Sequence, residues 1–583
     1  MKKYMPLEGL RWSRDSGSTL CDTPQNGRSR TGWGGNGSGE NETGVGYASF
    51  SITLPTTSGT RADNPEFKPG ETNEYDVFNA TLLVFKKGAT AGEGNYTLAE
   101  KVDLGSMEPW KNPNETGVTT QAKITAKLSK VDKSGDYFAL VLLNNVSGTD
   151  AKVTLPSEGE TFSAWNVATD ATNFTDTKKG FYMANAPLYN ATDKSVTTLV
   201  AIDKDKIFPT EAQASSGEAA ADIYVERGLA KVTLTTATKD EKTVAASSSY
   251  AGDIVKISNW ALDVTNKKTF PIHNVDGLST DYAEIWNNDA PAAATPSTPS
   301  TQRFVDNSKA TAKRVYWGTD PNYKETNLSA ETPESKKART ENFNYIQKEN
   351  LTADPKDPLY CCENTFNLAN MVQGQTTRVI FKASYTPKGF TAADGKTFFK
   401  VGTSVALWKK KDLEDHIKTA VSKVFSVTTT DDITINLAAK GNDITAAGNH
   451  VIKAANFSVK GHDAVTEAEE KAVNDKVGLT KDAGISTYAN GESYYIARIK
   501  HFGDALTPWN SGESYGDNNL KYLGRYGMLR NNWYELDVQS VSGPGYPDVP
   551  EVKPNTPDDE DDKYIKVSVK ILDWAKRSQD VNL

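Results

Sequence analysis

Short runs of alternating apolar and polar residues recur along most of the chain, and they constrain its fold more than any other feature. The first run covers residues 47–54, and a polar loop follows it from Pro55 onward. Its apolar members are Ala48, Phe50, Ile52 and Leu54. Alternation with a period of two is typical of a β-strand with one buried face. The sequence therefore predicts a strand here with these four side chains in a core.

Similar runs predict further strands at short intervals, separated by turn residues. They cover residues 80–86, 122–128, 136–143, 195–202, 221–235, 254–266, 377–385, 398–408, 433–437, 494–502 and 532–541. Many short strands with turns between them favour β-sandwiches over a parallel sheet. Apolar residues at helical spacing in 411–424, and an Ala/Glu-rich segment at 466–477, predict two inserted helices. The predicted fold is mainly β, with small helical insertions.

The length of 583 residues is too great for one core and predicts at least two domains. Residues 1–44 are rich in Gly, Ser and Asn, which predicts a disordered leader or pro-region. Residues 45–61 carry the first strand. The low-complexity stretch EAQASSGEAAA ends just before Asp222 and predicts a boundary there. We therefore predict an N-terminal sandwich at 62–221 and a C-terminal sandwich at 222–542.

Charge and reactive residues give little support to catalysis or nucleic-acid binding. The net charge of −9 is spread along the chain, so no basic face is predicted for a phosphate backbone. The five histidines form no metal-binding spacing, and sequences typical of acyl transfer or nucleotide binding are missing from the chain. We predict no enzyme activity, cofactor or metal. The adjacent Cys361 and Cys362 are interpreted as buried apolar residues, and His501 as a hydrogen-bonded structural residue.

The C-terminal end joins a proline-rich segment to an amphipathic strand. Five prolines in residues 543–563 predict an extended linker that is kept solvated by the acidic run at 558–562 and reaches about 65 Å. The strand that follows, 564–571, carries its apolar residues on one face. They are Ile565, Val567, Val569 and Ile571. Burial of these four contributes roughly 6–12 kcal/mol before ordering costs.

Two placements of this strand are open: a neighbouring molecule, or its own domain as an ordinary last strand. The long linker favours the neighbour. A strand that fills a vacated sheet position restores both backbone hydrogen bonds and apolar contacts. The alternation shifts phase after Ile571, and we predict that Trp574 packs at the rim of the groove.

Several blocks of the sequence resemble the type V pilins, the fimbrillin-type major subunits of the Bacteroidales. They are residues 360–367 (YCCENTFN), 495–509 (YIARIKHFGDALTPW) and 522–545, together with the Pro/Asp linker and the last strand before Trp574. The resemblance covers roughly residues 45–583. It implies two tandem transthyretin-like Greek-key β-sandwich domains with a C-terminal donor-strand extension at 564–583.

The resemblance also implies a route of assembly. An exported lipoprotein precursor is cut by an arginine-specific maturation protease, here between Arg61 and Ala62, and the first strand is released. The strand of another identical subunit then fills the groove, which builds a surface fimbria outside a Gram-negative cell that supports adhesion or biofilm formation. Anchor and tip subunits, and surface receptors of unspecified identity, are further implied partners. Lipid attachment at Cys21 is in doubt because Leu20 is larger than the residue expected there; an ordinary cysteine is the alternative.

Two other functions are alternatives to a shaft subunit. A fimbrial tip adhesin or glycan-binding surface lipoprotein would have the same fold, but a tip subunit supplies no next neighbour and should lack a free donor strand. A secreted glycosidase would need two carboxylates facing one cleft. The terminal strand therefore favours the shaft subunit.

Overall fold

The computed structural model of the chain describes residues 45–54, 74, 76–107, 121–132, 134–146, 148–190, 195–283, 285–286, 304–305, 313–324, 327–365, 370–480, 482–502, 507, 522–558 and 565–572. Most regular structure in these residues is β-strand, with short helices between the strands. The predicted mainly β fold with helical insertions is confirmed. The Greek-key order of the strands stays a prediction.

The N-terminal half forms one large sheet and two short helices, α1 (Phe162–Trp165) and α2 (Glu211–Ser216). The strands of this half, in chain order, are β1 (Gly46–Thr53), β2 (Ala80–Lys86), β3 (Thr97–Gly105), β4 (Gln121–Leu128), β5 (Tyr137–Leu143), β6 (Thr169–Asp170), β7 (Met183–Asn185), β8 (Leu188–Asn190), β9 (Ser195–Thr197), β10 (Val200–Ala201) and β11 (Ala221–Arg227). The order across the large sheet is β3-β2-β5-β7-β11-β1-β4, with β10 beside β5. β1 is therefore an inner strand.

The C-terminal half contains more and shorter strands. They are β12 (Leu229–Leu234), β13 (Lys242–Thr243), β14 (Ile254–Asp263), β15 (Thr265–Asn266), β16 (Lys268–Thr269), β17 (Lys313–Arg314), β18 (Phe343–Asn344), β19 (Leu359–Cys362), β20 (Arg378–Thr386), β21 (Phe398–Val401), β22 (Leu407–Trp408), β23 (Ile433–Ile435), β24 (Ala438–Ala439), β25 (Asn442–Asp443), β26 (Gly448–His450), β27 (Phe457–Val459), β28 (Ile485–Tyr488), β29 (Glu492–Arg498), β30 (Trp533–Val541) and β31 (Ile565–Leu572). The helices are α3 (Thr236–Lys239), α4 (Leu278–Asp281), α5 (Pro333–Asn342), α6 (Lys410–Phe425) and α7 (Glu467–Val477).

Two four-stranded sheets of this half pack face to face. One has the order β19-β12-β30-β31 and the other β13-β14-β20-β29. Side chains of both sheets, such as Leu536 and Phe381, share one buried core. This arrangement is a β-sandwich, in which apolar residues from two inner faces exclude water between the sheets.

The two halves meet along one nearly continuous strand. β11 belongs to the first sheet, β12 belongs to the second, and Gly228 alone separates them. The change of sheet therefore comes at Gly228, several residues after the predicted boundary at 221/222. The low-complexity stretch belongs to the first half, because its first six residues form α2, which packs on β1.

The same pattern of neighbours occurs on both sides of this crossing. β7-β11-β1-β4 and β19-β12-β30-β31 are each paired antiparallel, then parallel, then antiparallel. In this comparison β30 takes the place of β1. The last strand, β31, takes the place of β4 at the edge of its sheet.

The predicted helices are both present as insertions on the second sandwich. α6 buries Leu413, Ile417 and Val421 on one face, as the spacing predicts. α7 begins after Thr466, whose hydroxyl accepts from the Glu469 amide, while the Glu469 carboxylate accepts from the Thr466 amide. This reciprocal pair satisfies amides that the helix start would leave free. Both helices contribute to a separate core with the strands around them.

The proline-rich segment differs from the solvated linker that the sequence predicts. Residues 543–558 follow the surface of the C-terminal sandwich, and Asp558, the first residue of the acidic run, is only 2% exposed. The segment has contacts that hold it in place, and it turns where the Thr556 amide donates to the Lys553 carbonyl at 3.3 Å. A reach of about 65 Å is therefore not available while these contacts last.

Candidate functional site

β1 fills a position between two other strands of the first sheet. It pairs parallel with β11 from Phe50 to Thr53, and antiparallel with β4 along its whole length. Its core-facing side chains are Ala48, Phe50 and Ile52, each 0% exposed, followed by Leu54 at 3%. These are the residues that the alternation placed in a core. Removal of β1 would leave the backbone groups of β4 and β11 without partners and open a trench in the core.

The outer face of β1 is also covered, which corrects the prediction of one buried side. α2 packs on β1, and the Ser49 hydroxyl donates to the Glu218 carbonyl at 3.4 Å. Ser49 is 0% and Ser51 7% exposed. Residues 207–220, which include α2, form this cover. The small polar side chains of β1 leave room for this cover. The alternation of apolar and polar residues in β1 does not indicate that another part of the chain packs on this face.

β31, the predicted donor strand, lies on its own sandwich at the edge of a sheet. It pairs antiparallel with β30 from Ile565 opposite Val541 to Leu572 opposite Trp533. Among the described strands, none pairs with the other side of β31. Val569 is 7% exposed, Val567 is half-buried, and Lys566 and Lys570 are exposed. The strand is thus held on one side only.

The remaining predicted site residues lie outside the description. Cys21, Arg61, Ala62 and Trp574 are not among the described residues, and the side chains of Ile565 and Ile571 are also outside it. Cleavage, lipidation, release of the first strand and donation of the last strand therefore stay predictions. The structure places the first and last strands in two different sheets of one chain.

A buried ion pair that the sequence analysis missed joins the segment after the predicted cut to the second sheet. Lys231 Nζ lies 2.5 Å from Glu74 Oε1, and both side chains are at most 2% exposed. The Tyr360 hydroxyl donates to the same Glu74 oxygen at 2.6 Å, and Arg227 Nε donates to the Glu74 carbonyl at 2.8 Å. The Lys231 ammonium also stands 3.8 Å from the centre of the Trp533 ring. These contacts hold Glu74 at the junction of the two sheets.

A second buried network continues across the junction. The Glu226 carboxylate contacts His273 Nδ1 at 2.9 Å and is paired with Arg314; Glu363 lies 3.5 Å from His273 Nε2 and is paired with Arg530. Burial acts to raise the pKa of Glu226, but Arg314 and His273 hold it at about 2. Glu226 therefore remains ionised, and its charge is balanced inside the protein. The only sequence sign of this network was charge within apolar strands, as in VERGLAK.

Asp320 lies beside this network and differs from Glu226 in its protonation. Its two carboxylate oxygens accept from the Asn322 amide at 2.8 Å, the Asn322 side chain at 2.7 Å, the Thr365 amide at 3.1 Å and the Asn266 side chain. Burial and the nearby charge of Glu363 nevertheless raise the pKa of Asp320 to about 7. Ionisation of Asp320 in the folded protein thus costs free energy.

Asp320 should make the stability of the protein fall as pH rises towards neutrality. Its pKa is near 3.9 in an unfolded chain and about 7 in the folded one, so between these values the folded state binds more protons. The stabilisation that Asp320 contributes is complete below pH 4 and is lost as pH rises through 7. Between these values the free energy of unfolding falls by up to about 1.4 kcal/mol per pH unit. Urea unfolding at several pH values should show a shallower slope for Asp320→Asn than for the natural chain.

The matched control for this slope is Asp136→Asn. Asp136 is exposed, and the Lys204 ammonium lowers the pKa of its carboxyl, so its contribution changes only in more acidic solution. Equal slopes between pH 5 and 8 for the natural chain and Asp320→Asn would contradict the role given to Asp320.

The structure agrees with the sequence interpretation of two cysteines and one histidine. Cys361 and Cys362 are buried free thiols, as predicted, and burial raises the pKa of Cys362 to about 12. His501 is also structural: it is 0% exposed, and its Nδ1 lies 2.7 Å from the Tyr534 hydroxyl.

The described stretches contain neither a membrane-spanning helix nor a cluster of metal ligands. No helix there is long and apolar enough to cross a bilayer. No three or more His, Cys, Asp or Glu side chains of these stretches are grouped so as to hold a metal ion.

Comparison with known proteins finds a family model that is similar to the C-terminal part of the chain. Residues 486–580 match the family model described as "Major fimbrial subunit protein type IV, Fimbrillin, C-terminal". This range contains β30, the proline-rich segment and β31. The resemblance to fimbrillins is confirmed for this part of the chain. No curated protein sequence matches the chain.

Two solved structures from Parabacteroides distasonis ATCC 8503 are similar to the chain at low identity. A "putative cell adhesion protein" is 12% identical, with a TM-score of 0.37, and the match covers 91% of this chain and 98% of that one. A "fimbrial assembly protein" is 13% identical, with a TM-score of 0.19, and the match covers 38% of this chain and 64% of that one.

Proposed function

We propose that the chain is the shaft subunit of a bacterial surface fimbria and polymerises by strand exchange after proteolytic removal of its first strand. The fimbrillin C-terminal match supports a role as a fimbrial subunit. The observation that carries the exchange step is the contrast between the two strands. β1 fills a slot with strands on both sides, whereas β31 is an amphipathic strand at the edge of a sheet.

The energetics favour movement of β31 into an emptied slot. On its own sandwich, β30 is the one described strand that offers it hydrogen bonds, and Val567 stays half-buried. In the slot, two strands flank the backbone, and the core-facing positions of β1 are 0–3% exposed. Each apolar side chain that becomes fully buried contributes about 1.5–3 kcal/mol. A strand that leaves the edge for the slot therefore gains both apolar burial and a second ladder of hydrogen bonds.

The geometry of the contact also explains a filament. The slot is in the first sheet and the donor strand is in the second, so the two surfaces that join are different. A heterologous contact of this kind does not close on itself by symmetry and adds one molecule after another. While β1 occupies the slot, exchange cannot begin, so the cut would set the start of assembly. The chain would act structurally, at the cell surface, with identical subunits as its main partners.

The proposal is tested by controlled proteolysis of the purified precursor. We expect brief treatment with an arginine-specific protease to give a new N-terminus at Ala62, followed by fibres in electron micrographs. Arg61→Gln should remove both the cut and the fibres. Arg11→Gln, which changes an arginine of the predicted leader, should leave both intact. Fibres that form from uncut Arg61→Gln protein would refute the trigger.

A further inference from the structure

The proline-rich tail, residues 543–558, is attached to the C-terminal sandwich along its length. Tyr494 and Tyr546 exchange backbone hydrogen bonds of 2.9 and 2.8 Å. The Tyr495 hydroxyl donates to the Gly543 carbonyl at 2.8 Å, and Tyr488 donates to the Gly545 carbonyl at 3.0 Å. The tail therefore begins as an additional strand-like segment beside β29, not as a spacer in solvent.

The middle of the tail is held as closely as its start. Arg378 Nη2 donates to the Pro550 carbonyl at 3.1 Å, and Lys348 Nζ lies 3.0 Å from the Asp548 carboxylate. At Gly374 a Cβ would lie only 2.6 Å from the Pro554 Cα. Only glycine allows the tail to approach the domain this closely.

The tail ends at a buried charge. The Asp558 side chain is 0% exposed, and one of its oxygens accepts from the Thr376 hydroxyl at 2.8 Å and lies 3.5 Å from the Arg498 guanidinium. Arg498 Nε also donates to the Asp558 carbonyl at 2.9 Å. Separation of this pair would break a buried contact between opposite charges together with its hydrogen bonds, which costs free energy. By contrast, β31 beyond it has exposed lysines, and no strand in the described part of the chain pairs with its outer edge.

We infer that Asp558 is the pivot of strand exchange: residues 543–558 stay on their own sandwich, and only the chain beyond Asp558 moves to a second copy. The inference rests on the proposed function. Seven peptide links separate Asp558 from Ile565, so the start of the donated strand lies within about 25 Å of Asp558. The slot of the next copy must come equally close. The subunits of the fibre are then closely joined, without a long flexible spacer between them.

A disulfide that locks the tail tests the pivot. Val372 and Pro557 face each other in an antiparallel bridge. The flanking bonds, Gln373 amide to Thr556 carbonyl and Asp558 amide to Met371 carbonyl, make this a non-hydrogen-bonded pair. Such pairs have Cα atoms about 4.5 Å apart, within the range of a disulfide. In a Cys21→Ser background, oxidised Val372→Cys/Pro557→Cys protein should form fibres after cleavage as fast as its reduced form.

A second lock, placed beyond the pivot, is the matched control. Glu535 and Lys570 are opposite each other on β30 and β31, so oxidised Glu535→Cys/Lys570→Cys protein keeps the last strand on its own sandwich. This protein should form no fibres until it is reduced. Mass spectrometry reports closure of each disulfide.

The two locks separate the two claims. If the Val372→Cys/Pro557→Cys disulfide (the tail lock) stops assembly and reduction restores it, the tail must detach from its sandwich during exchange. The pivot would then be wrong, but strand exchange would still hold. If the strand lock allows fibres, strand exchange itself is wrong. Fibres from the tail lock together with none from the oxidised strand lock support both.

Discussion

Replacing Lys231 by methionine lowers the free energy of unfolding by about 3–5 kcal/mol, because it removes the buried ammonium that faces the Glu74 carboxylate. Lys231 and Glu74 are 2.5 Å apart and at most 2% exposed, so water cannot take the place of the ammonium. The lost contact with the Trp533 ring adds to the effect. Guanidinium unfolding of the intact precursor, followed by tryptophan fluorescence, measures the change.

Two companion variants show whether burial causes this loss. Lys204→Met removes an ion pair of similar length, 2.8 Å to Asp136, whose side chains are 38% and 55% exposed; we expect it to cost at most about 1 kcal/mol. Glu74→Gln added to Lys231→Met should recover part of the loss, since a neutral amide then replaces the buried carboxylate that faced Lys231, while Arg227 loses its interaction with that carboxylate. Equal costs for Lys231→Met and Lys204→Met would contradict the buried pair.

The Lys231–Glu74 ion pair should also stabilise the subunit that the proposed cut would produce. Glu74 comes twelve residues after Ala62, so in the cut chain it lies close to the new N-terminus. The ion pair would hold Glu74 at the junction of the sheets, whether or not β1 has left. We therefore expect Lys231→Met to lower the free energy of unfolding of the cut subunit as well as that of the precursor.

The sequence predicted individual strands well because alternation is a property of each strand itself. The run at 80–86 is β2 with the same bounds, and 532–541 differs from β30 by one residue. Alternation failed where another part of the chain decided burial. Ser49 and Ser51 are polar in sequence yet buried, because α2 and the residues around it lie over them. Nothing in residues 47–54 encodes that cover.

Long-range contacts also account for the rest of what the sequence could not predict. The tail at 543–558 has the composition of a linker, but it packs on the domain through contacts with Tyr494, Gly374 and Arg498. Each of these residues is distant from the tail in sequence. The partners of Lys231 and Glu226 are similarly distant, so single-strand patterns show only that a charge sits among apolar residues. The first and last strands could be found from sequence, whereas their surroundings could not.

Val567→Asp should leave the precursor folded and reduce fibre mass at least about tenfold. In the single chain Val567 is half-buried at a sheet edge, where a carboxylate can remain hydrated. In the slot of a second copy, the position becomes one of those that β1 fills with side chains 0–3% exposed. Burial of an unpaired charge there costs well over the 1.4 kcal/mol that a tenfold change in affinity represents. Sedimentation of cleaved protein measures fibre mass, and circular dichroism checks the fold.

Gln539→Asp is the matched control, because it adds the same charge to the exposed face of β30, beside β31, without changing the donated strand. Its fibre mass should equal that of the natural chain. The slot of Val567→Asp remains intact, so the cleaved variant should still accept a strand and then fail to donate one. Small amounts mixed into cleaved natural protein should therefore shorten fibres, as electron micrographs would show. If Val567→Asp assembled as well as Gln539→Asp, the last strand could not be the one that enters the slot.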